Sequence, residues 1–124
     1  MHSEAIIAQL KNTLADVRDN LVQSAGSNSV CAIHKFGSPS DFMKYNEGKE
    51  FIIRNMIHLL NRGTAEPDIL SFLAENEEKF RAYQSSESTA SSPWQAYAKG
   101  GLDGIAFIKS LLSSDTSTGQ TTIT

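Results

Sequence analysis

The chain repeats part of itself. The pattern Phe42-x-x-Tyr45-x-x-Gly48-x4-Ile53-x-x-Met56-x-x-Leu59-Leu60 returns 52 residues later as Trp94-x-x-Tyr97-x-x-Gly100-x4-Ile105-x-x-Ile108-x-x-Leu111-Leu112. Seven positions match like for like, and helical periodicity alone repeats apolar character without repeating tyrosine and glycine. In each copy an aromatic pair three residues apart shares one helical face. The glycine three further on clears that face of a side chain, and an aliphatic helix continues beyond it. The copies differ at Phe51 and Ile52, opposite Asp103 and Gly104, and at Ile57, opposite Lys109.

Around this echo the chain reads as all-α, a small bundle of about four helices. The first begins at a capping Ser3 and carries Ile7, Leu10, Leu14, Val17 and Leu21 at alternating spacings of three and four before Gly26 offers a stop. That spacing suits a coiled-coil seam between subunits or with a partner, and equally the buried face of an ordinary amphipathic helix. Ser38, Pro39 and Asp41 supply a cap, a first-turn proline and an acid for a second helix from about Pro39 to Leu60, interrupted or bent at Gly48. A third opens near Glu66 and Pro67 and carries Ile69, Phe72, Leu73, Phe80 and Tyr83, with Glu75, Glu77 and Glu78 on its solvated side. Glycine costs a helix ~1 kcal/mol relative to alanine. Gly100, Gly101 and Gly104 therefore split the last helix, or let another backbone approach closely.

Residues 1–112 are expected to form one helical domain, with residues 85–92 a flexible serine-rich linker inside it. Residues 113–124 read as a low-complexity tail. Ile123 is its only large apolar residue, so the tail is expected to order only as a docking arm, adding an extended strand to a partner's sheet edge.

The formal charge is −3, and of four consecutive segments the most basic, residues 38–63, carries only +1. Direct nucleic-acid binding is not expected, because tracking phosphates needs several Lys or Arg on one face. No apolar run approaches the ~20 residues that span a bilayer. The first 25 residues lack a basic-then-apolar leader, which places the chain away from membranes and export. The single cysteine excludes an internal disulfide framework and suits a reducing compartment.

Catalytic patterns are thin. Cys31-x2-His34 offers two ligands where a tetrahedral metal site needs more, and no third group orients the pair as nucleophile and base. His2 and His58 lie at the terminus and on a helix flank. Glu47 with Glu50, and Glu75 with Glu78, are flanked by lysines and arginines, which suits surface ion pairs. Gly100-Gly101-Leu102-Asp103-Gly104 lacks the preceding strand and the Gly-Lys-Ser/Thr ending of a phosphate loop. No cofactor and no enzymatic activity are expected.

Tyr45-Asn46-Glu47-Gly48-Lys49-Glu50-Phe51-Ile52-Ile53, running on to Leu59-Leu60, resembles a pattern of short helical proteins of tailed bacteriophages. There an aromatic, an acid and a glycine precede a basic position and an aliphatic helix. Lys49-Glu50 stands where that pattern has Gln-Arg or Arg-Arg. Such proteins are commonly encoded near portal and packaging genes, and some are virion components. The resemblance implies a non-enzymatic assembly protein that oligomerises or docks on a larger viral complex, in the host cytoplasm or within a particle. The competing expectation is a small acidic inhibitor or regulatory binder, acting as a monomer through Glu75 to Glu78.

Overall fold

The computed structural model describes the backbone of residues 3–25, 39–85 and 92–123, and the side chains within 4–22, 41–85 and 93–113. Four helices follow in order: α1 (Ser3–Ala25), α2 (Pro39–Asn61), α3 (Glu66–Ser85) and α4 (Ser92–Ile123). The chain is a small all-α bundle. The α2–α4 contact is the principal one, with α1 laid on α2 and α3 laid on α4.

Each amphipathic face enters one shared core. Ile6, Leu10, Leu14 and Val17 of α1 meet Ile52, Ile53, Met56, Ile57 and Leu60 of α2, while Ile69, Leu73 and Phe80 of α3 join Ala98, Ile105 and Ile108 of α4. Burial of these side chains is the main stabilising term, about 1.5–3 kcal/mol for each large one. A polar link crosses the α1–α2 seam, where Asn20 donates to Asn46 Oδ1 at 3.3 Å. Asn46 is buried and donates in turn to the Phe42 carbonyl at 2.9 Å, so both ends of its amide are engaged.

The turn from α2 to α3 is set by Gly63, whose φ of 71° lies in the left-handed region. Its N–H donates to the Leu60 carbonyl and the Thr64 N–H to the Leu59 carbonyl, both at 3.1 Å. This Schellman pairing satisfies carbonyls that the helix end would leave without partners.

α2 is unbroken through Gly48, where an interruption or bend was expected, and α4 is unbroken through Gly100, Gly101 and Gly104, so of the two alternatives for these glycines close approach holds and a split does not. Here the glycines serve close approach, and tertiary packing outweighs the propensity cost of ~1 kcal/mol each. The backbone of α4 runs helically through Ile123, with the side chains beyond residue 113 outside the described residues. Ser38, Cys31, His34 and linker residues 86–91 lie outside the described residues, as does the side chain of Ile123.

The two halves correspond. Ile6, Leu10 and Val17 of α1 have counterparts in Ile69, Leu73 and Phe80 of α3, each 63 residues later and all buried. Gly48, Ile53 and Met56 of α2 have counterparts in Gly100, Ile105 and Ile108 of α4, each 52 later and again buried. The molecule is two helical hairpins, α1–α2 and α3–α4, packed through their second helices.

Candidate functional site

A β-carbon at Gly48 would collide with the Tyr97 carbonyl oxygen and come within 3.0 Å of the Gly101 nitrogen. At Gly100 it would collide with the Tyr45 carbonyl oxygen and come within 3.2 Å of the Lys49 nitrogen. These contacts are equivalent under the 52-residue offset. The tyrosine–glycine echo is therefore the crossing of α2 and α4, where backbone meets backbone.

Around the crossing the two tyrosines diverge. Tyr45 donates to Asp103 Oδ2 at 2.6 Å, and Lys99 binds the same oxygen at 3.1 Å. Lys49 and Lys99 lie 5.7 and 5.6 Å from the centre of the Tyr45 ring. Burial, with the neighbouring Asp103 carboxylate, pushes the Tyr45 phenol well above its ordinary value. This cluster ties α2 to α4.

Tyr97, the counterpart, belongs to a run of rings leading from core to surface. Phe51 meets Phe80 edge-on at 6.4 Å between centroids, Phe80 meets Tyr97 at 5.7 Å, and Tyr97 meets Trp94 edge-on at 5.6 Å. Tyr83 completes the outer end, 6.2 Å from Trp94 and 6.3 Å from Tyr97. Phe80 is 2% exposed, Trp94 40% and Tyr83 37%. Burial raises the Tyr97 phenol as well. Gln95 Nε2 donates to the carbonyls of Tyr83 at 3.3 Å and Gln84 at 3.1 Å, pinning the start of α4 to the end of α3. Lys44 lies 5.0 Å from the Trp94 ring centre. The outcome is a rigid aromatic ledge with one cation at its rim.

Two open grooves complete the surface. One is lined by Lys11, Leu14, Ala15 and Arg18 of α1 with Arg54 and Ile57 of α2. The other is lined chiefly by Leu70, Ala74, Glu77, Glu78 and Arg81 of α3 with Lys109 of α4. They occupy equivalent places on the two hairpins, but Leu14 and Ile57 of the first are replaced by Glu77 and Lys109 in the second. Lys109 hydrogen-bonds Glu77 and holds that carboxyl below the usual range.

The residues singled out from sequence are distributed as follows. Leu10, Leu14 and Val17 are buried and Ile7 and Leu21 half-buried in the chain's own core, so the seam is occupied by α2 of the same chain. Tyr45, Gly48, Trp94, Tyr97 and Gly100 gather at the crossing and the ledge, and Phe42 is half-buried on α2 with its carbonyl accepting from Asn46. The Glu47 and Glu50 pair is separated into surface bridges, Lys44–Glu47 at 3.1 Å and Glu50 with Arg18 at 3.4 Å and Arg54 at 3.5 Å, while Glu75 and Glu78 are exposed on α3. His58 is exposed on α2. Sequence reading placed Tyr83 on the apolar face of its helix and missed its exposure at the ledge, where it is 37% exposed. It also missed both grooves, which need two helices each.

Among the described residues no group of three His, Cys, Asp or Glu is placed to hold a metal ion, and no helix is long and apolar enough to cross a membrane. Compared with family models, curated proteins and solved structures, the chain matches none.

Proposed function

We propose that this protein is a non-enzymatic protein–protein interaction component, a small assembly part of the kind found in tailed phages, which docks on a larger complex. The observation that carries the reading is the aromatic ledge. Tyr83 and Trp94 are exposed, yet their rings are anchored through Tyr97 and Phe80 to the core. Tyrosine and tryptophan dominate the energetics of protein interfaces, and rings already held in place lose little side-chain entropy on binding. The phage element of the proposal draws on the resemblance around Tyr45, Gly48 and Lys49.

The test is detection of the protein in purified particles from infected cells by mass spectrometry, with the wild type compared against a Tyr83→Ala/Trp94→Ala variant of unchanged helicity. Incorporation of the wild type and its loss in the variant are expected. Equal incorporation of both would remove the ledge from the interface, and absence of both would remove the assembly reading. Glu75 and Glu78 are exposed on α3, which favours a second reading: a monomeric acidic binder whose partner is released by Glu75→Lys/Glu78→Lys and retained by the ledge variant.

A further inference from the structure

From the pair of grooves we infer that this protein associates with itself head to tail, the outer stripe of α3 in one copy entering the α1–α2 groove of the next. The inference rests on the assembly reading above but uses a surface apart from the aromatic ledge. The acceptor has an apolar floor and a cationic rim. Leu14 and Ile57 are each 8% exposed at its base, with Ala15 beside them and Lys11, Arg18 and Arg54 around them. Glu50 bridges both arginines and offsets only one of their charges, so the rim keeps a positive excess. Such a groove fits a helix that presents a small apolar strip flanked by acids.

The chain carries such a helix. Glu66, Leu70, Ala74 and Glu78 recur every four residues along α3, each turned about 40° from the one before, as a slanting stripe with an acid at each end and two apolar residues between. All four are exposed, and Leu70 at 50% is among the largest apolar side chains open to solvent. The stretch 64–84 holds five of the chain's acids against two bases. Glu66 and Glu78 therefore complement Lys11, Arg18 and Arg54 in charge, while Arg81 and Lys109 beside the stripe are engaged by Glu77, and the matching occupant is a second copy of this chain.

Donor and acceptor lie on different hairpins, so the contact is heterologous. Each copy that binds leaves one donor and one acceptor open at the two ends, and growth continues into a ring or an open filament. Opposite charges across the contact make it weaken with salt.

Two variants, each changed only at exposed positions, test this in the full-length protein: Lys11→Glu/Ala15→Glu blocks the acceptor, and Leu70→Lys/Glu78→Lys blocks the donor. Sedimentation velocity over a concentration series is expected to show wild-type mass rising with concentration and falling with added salt. Each variant alone is expected to stay monomeric, and an equimolar mixture of the two to stop at a one-to-one dimer, since a single competent contact remains. A wild type that stays monomeric at the highest concentration overturns the inference. So does wild-type association that either variant leaves unchanged, or a mixture that forms no dimer. Trp94→Ala is expected to leave these masses unaltered, which separates failure of this contact from failure of the ledge.

Discussion

Gly48 and Gly100 are reciprocal: each lies against the backbone carbonyl of the tyrosine three residues before the other, Gly48 on Tyr97 and Gly100 on Tyr45. Backbones approach this closely only where no side chain intervenes. Two copies of one short motif thus make a contact of the kind formed at the axis of a two-fold dimer, here within one chain.

Gly48→Ala and Gly100→Ala are each expected to destabilise the fold. Alanine raises helix propensity by ~1 kcal/mol, but its methyl would strike a carbonyl that cannot move without shifting a whole helix, and overpacking typically costs about 1–3 kcal/mol or more. The net sign is destabilising, visible as a fall of several degrees in thermal midpoint. A rise in midpoint for either variant would mean that the helices do not cross here.

Phe80 sits between Phe51 and Tyr97, and a β-carbon at Gly101 would strike its ring. Phe80→Ala is expected to cost about 3–5 kcal/mol by denaturant unfolding. Gly101→Ala in the Phe80→Ala background should be far less harmful than in the wild type, because the methyl then enters vacated space. Additive costs in the double-variant cycle would show that the two residues are not in contact.

Leu14→Asp distinguishes a core role from an inter-subunit seam. With Leu14 8% exposed in the chain's own core, a carboxylate there is buried among apolar side chains and costs several kcal/mol. The expected outcome is loss of helicity and of the cooperative transition by circular dichroism. A variant that keeps its helicity and only lowers the mass would return Leu14 to a subunit interface.

The Tyr45 phenol, held protonated by burial and by donation to Asp103, titrates above its ordinary value of about 10. The unfolded chain therefore ionises first as pH rises. The stabilisation is fully present below about pH 10 and is lost as pH climbs from there through the folded value. Tyr45→Phe should flatten this alkaline decline, with a smaller slope remaining from Tyr97, whose phenol is also raised. Thermal midpoints across the alkaline range check it, and an identical decline in both proteins would detach the effect from Tyr45.

Much of this architecture is a local matter and was legible in the amino-acid sequence. Apolar spacing in α1, the Pro39 start, the Gly63 stop and the helical spacing in α3 each depend on residues within one or two turns of each other, where periodicity and capping chemistry act. The 52-residue echo, too, could be read directly, and it identified the tyrosines and glycines of the α2–α4 crossing before any contact was known. What the glycines do could not be read. A helical glycine either breaks its helix or admits a neighbour, and the choice depends on whether a second backbone arrives, which is a non-local event. The same holds for the face of Leu10, Leu14 and Val17: its periodicity states that something covers it, and only the tertiary arrangement shows α2 of the same chain doing so. The exposed ledge of Tyr83 and Trp94 and the two grooves of unlike charge arise between helices, from the way two similar hairpins pack. Local sequence encodes helices because their hydrogen bonds close within four residues. It does not encode which faces remain uncovered, because that depends on which pairs of faces exclude the most water together.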